Sequence, residues 1–222
     1  MAHTVDLPDW AVERGRALNS FSRLAPRTAL INIDMQNVFL AADQVYGNPH
    51  GRDIVSAVNR LSQTMRAISS PVIWTRQTHT FDGANAPASW QYDLSEPSVA
   101  AGVAALQAGA QGHALYPAMQ TKPGDIVLDK YRYGALACPA GALARTLKAQ
   151  GAQMVIITGV LTNCCCETTA REANMAGYKV IVVSDATATL TDAEHNAALL
   201  NLRLNFADVK TTDEVIAMTH ML

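Results

Sequence analysis

Several features are scarce or missing in this 222-residue sequence, and each absence excludes a class of protein. It has only four cysteines, three of them adjacent, which make a poor disulfide framework and indicate a reducing compartment. It has no basic tract, and its formal net charge of −2 argues against a nucleic-acid partner. No apolar run is long enough to span a bilayer, and the first residues lack the basic and apolar regions of a signal peptide. We therefore expect a cytoplasmic protein that binds neither nucleic acid nor membrane.

The composition that is present is typical of a compact globular protein, with 49% hydrophobic and 16% charged residues. The length fits one large domain or two small ones. Residues 1–26 are mixed in character and are predicted to form an N-terminal arm. Within it, residues 10–24 are expected to form a short amphipathic helix that Pro26 ends. Residues 27–222 are predicted to form the main domain.

Strand and helix patterns alternate along the main domain. Short apolar runs predict strands at residues 28–34, 72–75, 125–130, 154–158, 179–184 and 208–210. Apolar stripes and capping residues predict helices at residues 53–68, 99–107, 139–150, 163–176, 191–205 and 211–221. This alternation predicts a three-layer α/β/α fold around a six-stranded, mainly parallel sheet.

The stretch from Met154 to Arg171 carries the strongest chemical signal. It reads as a buried strand, a tight turn and the start of a helix that bears Cys164, Cys165 and Cys166. The free N–H groups and the dipole of a helix start favour a thiolate, which makes a cysteine there a candidate nucleophile. The alternative is that these cysteines are small buried hydrophobes. Because successive helical residues point about 100° apart, the three thiols do not all face one pocket, and spacing alone does not select one.

Two other chemically active residues follow predicted strands. Asp34 ends the first strand, and Lys130 ends the third. Seen separately, the aspartate also fits a cap at a strand end, and the lysine also fits a solvated charge. In parallel sheets, however, ligands bind at the carboxyl ends of the strands. We therefore expect Asp34, Lys130 and the cysteine turn to converge at one edge of the sheet.

Four separated motifs resemble those of the isochorismatase-like cysteine hydrolases. They are IDMQNVF with Asp34, DKYRYGAL with Lys130, GVLTNCCCETT with the cysteines, and VVSDATATLTDAEHNAAL. In this order they cover roughly residues 28–215, and they look closest to the ureidoacrylate, biuret and N-carbamoylsarcosine amidohydrolases. The resemblance implies a Rossmann-like fold, a homodimer or homotetramer, and hydrolysis of a small amide or ureido compound.

The resemblance also assigns roles to residues. It places the nucleophile six positions after the glycine of the third motif, at Cys165, with Asp34 as general base and Lys130 as the cation between them. It implies a cis peptide between Val160 and Leu161, and an oxyanion hole formed by the N–H groups of Leu161 and Cys165. The residues expected to contact substrate are Gln36, Phe39, Arg76, Trp90, Tyr131 and Asn163.

The sequence departs from one branch of the family. Nicotinamidases carry a metal-binding D-x-H-x-H at the end of the second strand, whereas this chain has WTRQTH with His79 alone. We therefore predict no zinc and no other cofactor. Two alternatives to a cysteine amidohydrolase remain open: an isochorismatase-type ether hydrolase, and a non-catalytic thiol or redox protein of the same fold.

Overall fold

The computed structural model describes residues 3–221, and its centre is a sheet of six parallel strands. The strands are β1 (Thr28–Ile33), β2 (Val72–Gln77), β3 (Ile126–Lys130), β4 (Met154–Val160), β5 (Lys179–Ala188) and β6 (Asp208–Lys210). They lie in the order β3-β2-β1-β4-β5-β6, and every neighbouring pair is parallel. The prediction of a six-stranded, mainly parallel sheet is confirmed.

Helices cover both faces of the sheet. They are α1 (Asp9–Arg16), α2 (Asn37–Leu40), α3 (Pro49–Asp53), α4 (Val55–Ala67), α5 (Pro97–Ala105), α6 (Ala142–Ala149), α7 (Glu167–Met175), α8 (Asp192–Asn205) and α9 (Thr212–Thr219). Leu30 of β1 packs in one apolar cluster with residues of α4 and α9. Its neighbour Ile31 packs in a second cluster with residues of α6, α7 and α8. Both faces of the strand are therefore buried, which explains its unbroken apolar run and confirms the three-layer fold.

The N-terminal helix is shorter than expected. The segment predicted as a helix over residues 10–24 is helical only over Asp9–Arg16. Arg203 of α8 holds this segment by donating hydrogen bonds to the carbonyl oxygens of Val12 and Asn19 at 3.0 and 2.8 Å. The segment thus lies on the body of the protein. The division into an arm of residues 1–26 and a domain of residues 27–222 stays a prediction. Residues 1, 2 and 222 of that division lie outside the described part of the chain.

The chain from β4 to α7 positions the cysteines. The peptide bond between Val160 and Leu161 is cis. One turn of π-helix, Thr162–Cys166, follows before α7 begins at Glu167, so the helix that was predicted to start at residue 163 has a wide first turn. In the described part of the chain, no helix is both long enough and apolar enough to cross a bilayer.

Candidate active site

Asp34 is a buried carboxylate at the carboxyl end of β1. Its backbone has a φ of 50°, an unusual conformation for a residue other than glycine, and its side chain is fully shielded from solvent. Thr75 of β2 donates a hydrogen bond from its hydroxyl to Asp34 Oδ1 at 2.8 Å. A buried carboxylate is costly unless it is paired, so its second oxygen also needs a partner.

That partner is Lys130, the last residue of β3. Its Nζ lies 2.8 Å from Asp34 Oδ2 and donates to Gln77 Oε1 at 2.6 Å and to the carbonyl of Arg132 at 3.0 Å. Burial alone would lower the pKa of Lys130, but the negative charge of Asp34, and that of Cys165 when its thiol is ionised, outweigh it and raise the pKa above its usual range. The side chain is therefore an ammonium ion at neutral pH.

Cys165 completes the group. Its Sγ accepts a hydrogen bond from Lys130 Nζ at 3.4 Å, and only 7% of the residue is exposed. A hydrogen bond with Cys164, burial and the charge of Asp34 raise the pKa of the Cys165 thiol, and the opposing effect of Lys130 does not reverse this. The helix start led us to expect easier deprotonation. The finding differs because the hydrogen bond with Cys164, burial and the charge of Asp34 together outweigh the effect of Lys130.

The other two cysteines of the run have different surroundings. Cys166 is fully buried, and its thiol lies 3.8 Å from the carbonyl oxygen of Thr158. Cys164 is partly exposed and lines the same cavity as Cys165. Cys166 therefore packs in the core, whereas Cys164 is a second thiol beside the candidate nucleophile.

A cavity of about 450 Å³ opens above Cys165. Its aromatic lining residues are Phe39, Tyr46, Tyr92 and Tyr133. Its aliphatic lining residues are Val45, Leu106, Val160, Leu161 and Leu190. Gln77, His79 and the two cysteines supply the polar part of the wall. A pocket with an apolar wall and a few convergent polar groups is the usual form of a small-molecule site.

Comparison with known proteins agrees with this geometry. The model of the isochorismatase domain matches residues 28–214, which include every strand of the sheet. The chain belongs to the isochorismatase family.

Named relatives within the isochorismatase family include amidohydrolases. The ureidoacrylate amidohydrolase of Methylobacterium radiotolerans is 31% identical over 195 residues, covering 81% of this chain and 74% of that protein. Nicotinamidase 3 of Arabidopsis thaliana is 41% identical, but over only 91 residues, which are 41% of this chain and 45% of that protein. The structure of a cysteine hydrolase from Pseudomonas syringae pv. phaseolicola has a TM-score of 0.81 at 28% identity, covering 92% of this chain and 97% of that one. The predictions of the family, of its amidohydrolase branch and of a hydrolytic enzyme are confirmed.

The structure brings together Asp34, Lys130, Cys165 and Leu161, but it separates most of the residues expected to contact substrate. Of those, Phe39 lines the cavity. Gln36 is buried, and its amide bonds the backbone of Gln77 and the carbonyl of His113. This arrangement supports Gln77, which in turn accepts from Lys130.

The remaining expected contacts lie outside the cavity wall. Arg76 forms an ion pair with Asp129 at 2.8 Å, and Trp90 is 85% exposed. The backbone N–H of Tyr131 donates to the sulfur of Cys138 at 3.2 Å. Asn163 accepts a hydrogen bond from Thr189 at 2.7 Å. The side chains of Arg76 and Asn163 are therefore engaged elsewhere, that of Trp90 faces solvent, and Tyr131 is partly buried outside the wall.

Several wall residues were not anticipated from the sequence. Tyr46 and Tyr133 come from loops after α2 and β3, and Leu190 comes from the loop after β5. Tyr46 packs closely against α5. Gly102 of α5 lies so close that a Cβ there would stand 2.1 Å from the Tyr46 hydroxyl. A small residue that admits an aromatic ring is consistent with a tightly fitted wall.

The described residues do not fit the metal site of the nicotinamidase branch. His79 lies at the end of β2 and lines the cavity, with Tyr92 edge-on to its ring at 4.6 Å. Over residues 3–221, no group of three histidine, cysteine, aspartate or glutamate side chains is placed to hold a metal ion. Burial, and then the charge of Lys130, lower the pKa of His79, so that it is neutral at neutral pH.

Proposed function

We propose that this protein is a cysteine-dependent amidohydrolase that cleaves the C–N bond of a small amide or ureido compound through a thioester. The observation that carries this proposal is the buried contact from Asp34 through Lys130 to Cys165, at 2.8 and 3.4 Å, at the base of the cavity. Relatives named as ureidoacrylate amidohydrolase and cysteine hydrolase support it.

The raised pKa of the thiol determines the first step. In the resting enzyme Cys165 carries its proton, Lys130 is an ammonium ion and Asp34 is paired with it. When substrate binds, the thiol proton passes to Asp34, which acts as general base, and Lys130 stabilises the thiolate. Keeping the proton until substrate arrives protects the sulfur from side reactions.

The later steps use the same groups. The thiolate attacks the carbonyl carbon, and the oxyanion accepts hydrogen bonds from the N–H groups of Leu161 and Cys165, a type of contact worth about 3–4 kcal/mol per donor. Asp34 returns the proton to the leaving nitrogen, and the C–N bond breaks to release ammonia or an amine. Water, deprotonated by Asp34, then cleaves the thioester and regenerates the thiol.

Release of ammonia from a panel of amides and ureas tests the proposal. We expect the substitution Cys165→Ala to reduce turnover by at least about 10⁴-fold. The matched control is Cys164→Ala, which removes the adjacent thiol and should retain turnover. A chelator should have no effect. Full activity in Cys165→Ala would refute the proposal. If activity were lost in Cys164→Ala and kept in Cys165→Ala, the nucleophile would be Cys164 instead.

The two alternatives have less support from the site. An ether hydrolase needs no nucleophilic thiol, and a redox protein needs no buried pair such as Asp34 and Lys130. A homodimer or homotetramer and a cytoplasmic location stay predictions. Analytical ultracentrifugation measures the first, and cell fractionation the second.

A further inference from the structure

The wall of the cavity above Cys165 indicates which amides the site accepts. We propose that the substrate is an amide or ureido compound whose remaining part is uncharged and apolar, rather than a ureido acid bearing a carboxylate. The cavity has room for that part to be a ring. This inference rests on the proposed function and specifies its substrate class.

The first argument is charge. Among the described residues that line the cavity there is no lysine or arginine, and His79 is neutral at neutral pH. The wall therefore offers no cation to a substrate carboxylate. Enclosing an unpaired carboxylate in such a site costs several kcal/mol, which opposes binding of an anionic substrate.

The second argument is that the cations next in sequence to wall residues, Arg76 and Arg132, and the one bonded to Cys165, Lys130, are already engaged. Arg132 donates to the carbonyl oxygens of Tyr131, Ala84, Asn85 and Ala86 at 2.7 to 3.3 Å. Arg76 is paired with Asp129. The ammonium of Lys130 is shared by Asp34, Gln77 and Cys165. Recruiting any of them would break contacts that hold the site together.

The third argument is shape and chemistry. Phe39 and Tyr46 stack at 6.3 Å, and the hydroxyl of Tyr92 donates to that of Tyr133 at 3.5 Å. Burial, and then the hydrogen bond to Tyr133, raise the pKa of Tyr92, so its hydroxyl stays neutral. The volume of about 450 Å³ lies in the range of sites that enclose drug-sized ligands. Aromatic rings and neutral hydroxyls suit an uncharged ring.

Pairs of compounds that differ only in a carboxylate test the inference. We would compare benzamide with 4-carbamoylbenzoate and phenylurea with 4-ureidobenzoate, measuring kcat/KM from ammonia release and the Kd for the Cys165→Ala variant by calorimetry. We expect the neutral member of a pair to exceed the anionic member by about 30-fold or more in kcat/KM or in affinity.

A charge introduced at the rim supplies a matched control. Leu190 lines the cavity and is 53% exposed, so a long side chain there reaches solvent. Leu190→Arg should narrow or reverse the preference for the neutral member, whereas Leu190→Gln, which is polar and uncharged, should keep it. Equal effects of the two substitutions on the preference would contradict the charge argument.

The outcomes separate this inference from the proposed function. If the anionic members are preferred while Cys165→Ala abolishes their turnover, the inference is wrong and the cysteine amidohydrolase stands. If the neutral members neither bind nor turn over, the inference is also wrong. If turnover of any member survives in Cys165→Ala, the proposed function fails.

Discussion

Replacing Lys130 by methionine tests whether the buried ion pair with Asp34 is as tight as its geometry indicates. The two side chains are 3% and 0% exposed, and their charged atoms lie 2.8 Å apart. Removing one member of a buried pair leaves the other charge without compensation, at a cost of about 3–5 kcal/mol. We expect Lys130→Met to lower the free energy of unfolding by that amount, and the melting temperature by about 6–20 °C.

A second substitution separates the uncompensated charge from lost packing. In the double variant with Asp34→Asn, no charge remains buried at this position. We expect the double variant to be more stable than the sum of the two single losses predicts, by about 2–3 kcal/mol. All three variants should lack activity, because the cation or the base is missing. The three variants are therefore expected to be equally inactive but to differ in their free energies of unfolding.

Equilibrium unfolding in urea, followed by circular dichroism at pH 7.5, gives these free energies. The control is Arg60→Met, because Arg60 and its partner Asp213 are 51% and 85% exposed, and exposed pairs contribute at most about 1 kcal/mol. Additive losses in the double variant, or a loss in Lys130→Met as small as in the control, would refute the reasoning.

Three further predictions concern other parts of the structure. Because the pKa of the Cys165 thiol is raised, alkylation of Cys165 by iodoacetamide, measured by peptide mass spectrometry, should still be accelerating at pH 9, and a plateau below pH 8 would contradict this. Burial lowers the pKa of His195 to about 4, so the unfolded chain takes up the proton first and stability should fall by about 3 kcal/mol between pH 6.5 and pH 4. His195→Gln should flatten that slope in urea unfolding, and an unchanged slope would assign it to other groups. Gly159→Ala should lower the free energy of unfolding, measured by thermal unfolding, by more than about 3 kcal/mol, since φ is 111° and a Cβ would lie 2.0 Å from the carbonyl oxygen of Ile33. A loss below about 1 kcal/mol would show that β1 and β4 can move apart to admit the methyl group.

The sheet could be predicted from the sequence because strands that are buried on both faces consist of continuous apolar runs, as β1 does. Strand ends were less predictable. β4 continues beyond Thr158 because Gly159 and Val160 pair with Thr187 and Ala188 of β5, so the partner strand sets the limit. The short helix α3 was read as a loop. Its signals were nevertheless present, since Asn48 accepts from the N–H of His50 and Pro49 occupies the first turn.

The convergence of the charged strand ends could be predicted because parallel strands end at the same edge of the sheet. The wall of the cavity could not. The direction of a loop side chain depends on tertiary packing, and loop composition does not encode it. Trp90 faces solvent although it is a large aromatic residue, whereas Leu190, with no chemical signal of its own, reaches the cavity.

The position of Lys130 on an outer strand has a consequence for how long the site survives under stress. β3 pairs only with β2, and four of its five residues are partly or fully exposed. Asp34 and Cys165 follow the two central strands β1 and β4, but the ammonium between them is carried by an edge strand. Edge elements open with a smaller free energy than the whole protein. We therefore expect fraying of this one short strand to separate the proposed catalytic residues, so that activity is lost while the rest of the fold is still intact.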